Sequence, residues 1–315
     1  MATAELPRPL RGVITAMITP MKGQDLLDVA GLERLIEHIL SGGVHGLFIL
    51  GTTGEAPALK YQLRRELIER TCRQVARRVP VLVGITDTSF AESVSLAGHA
   101  EQSGAQAVVV SAPYYFPAAQ SELLDYLQDL CRELPLPAFL YNAPTNTHHV
   151  FGLATVRRAA EIPTIVGLKD SSANMIYFHS VQELLKDRPD FTRLVGPEEL
   201  MAEAVMLGGH GSMCGGANFF PRLYVDLYNA ATANDLEKVR ALHKRVMEIS
   251  TTIYRIGEHE SSYLQGLKCA VSLVGICGDL MAEPFRPFGA AEREQVRKHL
   301  LALGVLPAVP RDAAV

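Results

Sequence analysis

Two periodicities alternate along this chain. Short runs rich in Val, Ile and Leu give way to longer stretches whose apolar residues recur at three and four positions. That alternation predicts strands joined by crossover helices. Eight runs read as strands: GVITAMITP (12–20), GLFILGTT (46–53), PVLVGIT (80–86), AVVVSAP (107–113), PAFLYNAP (137–144), TIVGLKD (164–170), RLVGPE (193–198) and GHGSMCGG (209–216). The last is built on glycine rather than β-branched residues and has the lowest strand propensity. Between the runs, stretches such as VAGLERLIEHILSGG, YQLRRELIERTCRQVARR and SELLDYLQDLCREL each carry one apolar face, and several close on Gly or Pro. They read as helices covering a parallel sheet.

Eight such units in about 230 residues is the scale of a (β/α)8 TIM barrel, an α/β fold in a single domain; a doubly wound sheet is the alternative. Beyond residue 232 the alternation stops. Three helical segments follow, at about 234–256, 260–276 and 290–303, separated by Gly257 and by GDLMAEPFRPFG and trailed by PAVPRDAAV. The expected organisation is a barrel over residues 1–232 and a helical region over 233–315 packed against it.

Composition narrows the class. The 315 residues are 48% hydrophobic and 20% charged, with a formal net charge of −4 and no acidic or basic block, so neither nucleic acid nor an anionic membrane is an expected partner. No stretch reaches the roughly 18 consecutive apolar residues of a spanning helix. The opening MATAELPRPLRGVITAM lacks the charged head and long apolar core of a signal peptide, and the cytoplasm is the expected location. Five scattered cysteines form no CxxC pair and read as reduced thiols. His148 and His149 are adjacent, and no acid or second histidine stands at ligand spacing, which disfavours a metal centre. No G-x-S-x-G elbow is present, and GGHGSMCGG lacks the third glycine of a nucleotide loop, so serine hydrolysis and nucleotide binding are not indicated.

A barrel of this kind does its chemistry at the C-terminal ends of its strands. Those ends carry Thr52, Thr53 and Glu55 in GTTGE, Tyr114 and Tyr115 in APYY, Tyr141 and Asn142 in YNAP, Lys169 and Asp170 in GLKD, and Glu198 in GPE. Taken alone, a lysine at a strand end is a snorkelling side chain and a tyrosine a packing aromatic. Their setting changes the reading. Period-2 alternation puts Ile165, Gly167 and Lys169 on one face; if that face is the barrel interior, Gly167 clears space beneath the amine. Burial disfavours an amine's charged form, as a Schiff-base nucleophile requires. Tyr141, on the adjacent strand, becomes a candidate proton shuttle. GTTGE reads either as a turn with a helix cap or as a cradle of N–H groups and hydroxyls for a carboxylate.

On GTTGE, APYY, YNAP, VGLKD, GGHG and a late RPF, in that order from about residue 12 to 303, the chain resembles the dihydrodipicolinate synthase and N-acetylneuraminate lyase family of Schiff-base pyruvate aldolases. The resemblance implies that Lys169 condenses with the ketone of pyruvate or another 2-oxo acid, and that Tyr141 moves the protons. It implies that Thr53 links Tyr141 to a second tyrosine, Tyr115, supplied by a neighbouring subunit, that Thr52 and Thr53 bind the substrate carboxylate, and that Met213 offers a backbone carbonyl near the lysine. It also implies a homotetramer built as a dimer of dimers, and no metal or organic cofactor, the lysine imine being the electron sink.

One departure bears on substrate. Five residues after Tyr141, where synthases of dihydrodipicolinate carry an arginine, this chain has Asn146, which lacks the bidentate cationic fork that grips a carboxylate. The expected reaction is therefore cleavage of a 4-hydroxy-2-oxo acid or 2-keto-3-deoxy sugar acid to pyruvate and an aldehyde. Condensation of pyruvate with aspartate semialdehyde is the alternative. A barrel that binds a 2-oxo acid without turnover is a third, which the intact lysine, tyrosine and threonine set argues against.

Overall fold

The computed structural model describes residues 6–307. Eight parallel strands close into a barrel in sequence order: β1 Gly12–Ala16, β2 Gly46–Ile49, β3 Val81–Gly84, β4 Ala107–Ser111, β5 Ala138–Asn142, β6 Ile165–Asp170, β7 Thr192–Val195 and β8 Gly211–Cys214. Seven lie within the runs picked out from the pattern and β7 begins one residue before its run, at Thr192; apart from β6, the runs overshoot the C-terminal ends of the strands. Residues 50–53 and 196–197 are loop, not strand, and Glu198 opens the one-turn helix Glu198–Leu200. The glycine-rich run is a real strand for a steric reason. Gly211 has φ +143, and a methyl on it would fall 1.9 Å from the Gly12 carbonyl oxygen of β1, so only glycine lets the barrel close at that seam.

Helices α1 Val29–Ser41, α2 Tyr61–Val75, α3 Phe90–Ser103, α4 Gln120–Glu133, α5 Leu153–Ala159, α6 Met175–Leu184, α7 Met201–Met206 and α8 Pro221–Thr232 form the outer ring. Their boundaries follow local chemistry. The Asp28 side chain accepts from the Gly31 N–H at 3.0 Å to cap α1, and α3 ends at Gly104 with φ +91, where a left-handed residue stops a helix. Two core layers result. Ile14, Phe48, Leu82, Val109, Phe139 and Leu194 fill the barrel, while outward-facing Val13, Leu47, Val83 and Val108 pack on the helices.

The inward face of β6 departs from strict alternation. Ile165 belongs to the outer layer and Val166 to the inner one, because the ladder to β5 shifts register between Ala138 and Phe139, a bulge that turns the strand by one residue. Gly167 and Lys169 still point inward, and the room left at Gly167 is occupied: a methyl there would lie 2.6 Å from the Phe139 ring. A small antiparallel pair, Met21–Gly23 with Leu26–Leu27, is too short to show a period and had no counterpart in the pattern.

After α8, α9 Leu236–Thr251, α10 Ser262–Leu273 and α11 Ala290–Ala302 follow. Val246, Ile249, Leu267, Val271, Val296 and Leu300 of these helices share one continuous apolar cluster with the barrel's helical layer. Helix α10 approaches the one-turn segment Ile253–Arg255 closely, since a methyl on Gly266 would be 2.2 Å from the Ile253 carbonyl oxygen. The sequence tail from residue 308 lies outside the described residues.

Candidate active site

Lys169 stands on the last turn of pleat before β6 ends, only 4% exposed. Its direct register partner on β5 is Tyr141. The ammonium lies 4.1 Å from the centroid of the Tyr141 ring and 4.9 Å from that of Phe48 on β2, so two aromatic faces replace part of its water. One residue further along each strand, Asn142 donates to Asp170 at 2.8 Å. Asp170 also accepts from the Ser172 amide and hydroxyl, and Asn142 accepts from the Phe151 N–H at 3.1 Å. These bonds lock the two strand ends that carry the lysine and the phenol.

The Tyr141 hydroxyl is 3.3 Å from Thr52 Oγ1. Burial pushes this phenol's pKa up, but the Lys169 charge and hydrogen bonds from Thr52, Ser171 and Lys169 together bring it below its ordinary value. A phenol so placed gives up its proton more readily than one in water.

Thr52 and Thr53 lie in a loop bent by two left-handed residues, Leu50 at φ 58 and Glu55 at φ 57. Thr19 Oγ1 donates to the Gly54 carbonyl at 2.7 Å. Among the described residues the N–H groups of Thr52 and Thr53 have no hydrogen-bond acceptor, which leaves two adjacent donors on residues that line the barrel mouth. Glu55 does not line it. Its carboxylate takes a hydrogen-bonded ion pair from Lys268 of α10 and the Ala282 N–H at 2.8 Å, and Lys268 also donates to the Leu280 carbonyl at 2.6 Å. Both charges are buried, the lysine completely.

The mouth of the barrel holds a pocket of about 280 Å³ that brings together Lys169, Tyr141, Thr52, Thr53, Met213, Glu198 and Asn146. Glu198 is part of its wall, yet its carboxylate is already held by the hydroxyls of Tyr224 at 2.5 Å and Tyr254 at 2.8 Å and by the Gly216 N–H at 2.7 Å. Burial, reinforced by the neighbouring Glu199 charge, pushes the Glu198 pKa up to about 7 against the pull of those donors.

One expectation needs correction. Tyr141 is hydrogen-bonded by Thr52, not Thr53; the Thr53 hydroxyl instead meets Tyr263 of α10 at 3.3 Å. Successive residues in the turn direct their side chains apart, so each threonine holds a different phenol. Tyr115, expected at a neighbouring subunit's site, stands away from the pocket of its own chain. It is 74% exposed, with its ring edge-on to Phe116 at 4.9 Å. Ser171, Gly196, Glu199, Tyr254 and Tyr263 also line the pocket and were not singled out from the sequence. Ser171 had a signal in following Lys169 and Asp170 directly; a methyl on Gly196 would fall 1.9 Å from its hydroxyl and 3.2 Å from Lys169 Cε. The two tyrosines had none, because they come from the region after the barrel.

Residues 9–303 match the model of the dihydrodipicolinate synthetase family. The chain is 33% identical to the 4-hydroxy-tetrahydrodipicolinate synthase of Kosmotoga olearia, covering 94% of this chain and 99% of that one. It is 31% identical to the same-named protein of Gluconacetobacter diazotrophicus, covering 94% and 98%. Among solved structures, the dihydrodipicolinate synthase of Bacteroides thetaiotaomicron superposes with a TM-score of 0.91 at 56% identity over 93% of this chain and 99% of that one. YagE, an E. coli K12 prophage protein of the dihydrodipicolinic acid synthase family solved with pyruvate, gives 0.88 at 29% identity over 94% and 99%.

The chain belongs to the dihydrodipicolinate synthetase family. It is an enzyme, a lyase of the class I aldolase type whose family works through a Schiff base with pyruvate. Among the described residues no group of three or more His, Cys, Asp or Glu could hold a metal ion, and no helix is long and apolar enough to cross a membrane.

Proposed function

We propose that this enzyme cleaves a 4-hydroxy-2-oxo acid or a 2-keto-3-deoxy sugar acid to pyruvate and an aldehyde, with Lys169 as the imine-forming amine. The observation that carries this reading is the buried Lys169 amine in register beside a Tyr141 phenol of lowered pKa. The neutral amine adds to the C2 carbonyl, and water leaves with a proton delivered by Tyr141. The protonated imine then draws the C3–C4 bonding pair into an enamine as the phenolate takes the C4 hydroxyl proton and the aldehyde departs. Protonation at C3 and hydrolysis return pyruvate and the free amine. The imine is the electron sink, so the sequence of steps calls on no metal or organic cofactor.

Thr52 and Thr53 would hold the substrate carboxylate through their free N–H groups, Met213 would present its backbone at β8, and Glu198 would act on the far wall through the tyrosines it binds. Among the described residues Lys169 is the only cationic side chain lining the pocket. Asn146 stands exposed at its edge and can bond a hydroxyl but cannot neutralise a second carboxylate. That favours a hydroxylated aldehyde half. The names of the relatives favour the other reading, condensation of pyruvate with aspartate semialdehyde. Measuring kcat/KM for 2-keto-3-deoxygluconate, for 4-hydroxy-2-oxoglutarate, whose second carboxylate this pocket disfavours, and for pyruvate with aspartate semialdehyde separates them; a hundredfold preference for the last would overturn the choice.

Tyr115 and Phe116, 74% and 72% exposed on one loop, present an aromatic pair to a neighbouring subunit, and Tyr115 would complete that neighbour's site within a dimer of dimers. The five cysteines are free and buried, in keeping with a cytoplasmic enzyme.

A further inference from the structure

The loop that carries the two threonines meets α10 twice. At the pocket surface Thr53 Oγ1 lies 3.3 Å from the Tyr263 hydroxyl. Behind it, five residues along the same helix, Lys268 is ion-paired with Glu55. The phenol is further confined by the Tyr254 ring, edge-on at 4.8 Å, and Tyr254 is itself tied to Glu198. Gly215, just past β8, supplies the room for the hydroxyl, since a methyl there would fall 1.9 Å from Tyr263 Oη. A side chain held by a helix, a loop and a second aromatic, with its hydroxyl at the wall of a reaction pocket, has little freedom left.

We propose that Tyr263 is a specificity-determining residue that donates a hydrogen bond to an oxygen of the aldehyde half of the substrate. The inference rests on the lysine-imine cleavage reading above. The Thr53 bond acts to lower the Tyr263 pKa, as a bond donated by the threonine to the phenol oxygen does, and in that direction Tyr263 keeps its own proton for a ligand in the pocket. The phenols of Tyr141 and Tyr263 then divide the work. Tyr141 faces the Lys169 charge and releases its proton readily. Burial, with Glu198 beyond it, holds the Tyr263 phenol well above its ordinary pKa, as a fixed donor requires. Location agrees with this role. Tyr263 also lines an outer polar cavity of about 650 Å³ that shares Tyr254 and Glu199 with the reaction pocket, so a substrate extending away from Lys169 into that cavity passes its hydroxyl. Lys169 is the only cationic side chain of the inner pocket among the described residues, and Arg255 belongs to the outer cavity beside Glu199, Glu258 and Glu260, so the oxygen that meets Tyr263 at the inner wall is a hydroxyl or carbonyl.

The test compares wild type with Tyr263→Phe and Gly215→Ala in the condensation direction, pyruvate plus glyceraldehyde against pyruvate plus propionaldehyde, with borohydride trapping of pyruvate as a control. Wild type should favour the hydroxylated aldehyde. In Tyr263→Phe, kcat/KM for glyceraldehyde should fall about 100-fold, the scale of one lost donor, while that for propionaldehyde falls far less and the pyruvate adduct still forms on Lys169. Gly215→Ala displaces the hydroxyl without removing it and should collapse the same ratio. A Tyr263→Phe enzyme that keeps the wild-type ratio overturns the proposal. Absence of the Lys169 adduct in wild type sinks the cleavage reading and this inference with it.

Discussion

Lys169 and Tyr141 are direct register partners on adjacent strands, with the ammonium 4.1 Å from the centre of the phenol ring. The relationship is fixed by backbone pairing rather than by side-chain choice, and the Asn142–Asp170 bond immediately beyond clamps it. Replacing Tyr141 with Phe keeps the ring beneath the amine and removes only the hydroxyl. kcat should fall about 100-fold to 10,000-fold, the worth of a positioned acid–base group, with the far-UV circular dichroism and thermal midpoint of wild type. A Tyr141→Phe enzyme with normal kcat would remove the proton-shuttle role.

The Glu55–Lys268 pair is buried at both ends, so breaking it leaves an uncompensated charge. Lys268→Met should cost about 3–5 kcal/mol, read as a lowered urea midpoint. Adding Glu55→Gln to that variant should recover part of the loss, because the stranded carboxylate is gone. Additive losses in the double-mutant cycle would mean that the two groups do not interact.

Glu198 titrates near pH 7 in the fold, against an ordinary 4.5, because burial and Glu199 oppose its ionisation. The folded state therefore holds a proton that the unfolded chain gives up between about pH 4.5 and 7. The stability it lends is fully present below pH 4.5 and lost as pH rises through 7, on the order of 3 kcal/mol from a shift of this size. Urea midpoints of wild type should decline across that window relative to Glu198→Gln. Parallel pH profiles for the two proteins would contradict the assignment.

If Tyr115 completes a neighbour's pocket, Lys169→Ala and Tyr115→Phe subunits should complement one another. Each alone should be impaired. Dissociated, mixed and reassembled, they should regain activity through sites that combine one subunit's Lys169 with the other's Tyr115. No recovery on mixing, or full activity in a species that sediments as a monomer, would contradict the shared site.

Asn146 lies at the edge of a pocket that, among the described residues, no arginine lines. Asn146→Arg should raise kcat/KM for aspartate semialdehyde relative to glyceraldehyde by at least about tenfold, a single charge-assisted contact being worth about 1.5–3 kcal/mol. An unchanged ratio would mean that this position does not read the second substrate.

The strand ends were legible because two rules suffice for them: period-2 burial finds a strand, and the barrel places polar residues at its C-terminal mouth. Those rules place Lys169 and Tyr141 at the mouth, while Thr52, beyond the strand end at Ile49, was reached because the GTTGE turn also reads as an anion cradle. The pairing of threonines with tyrosines was not legible, because it depends on the left-handed turn at Leu50 and Glu55, which no local pattern announces. Nor was the swap of Ile165 and Val166 between layers, produced by a bulge in the ladder. Tyr254 and Tyr263 lie beyond the barrel's last helix, in a segment whose sequence says only that it is helical. Their role arises from docking against Glu198 and Thr53, a tertiary fact.

The central claim is that Lys169 is the amine that carries the substrate, and its most direct test is incubation with pyruvate and borohydride followed by peptide mass mapping. A single reduced adduct on the peptide containing Lys169, absent from Lys169→Ala, is the result expected here. No adduct, or one on any other lysine, would contradict the account.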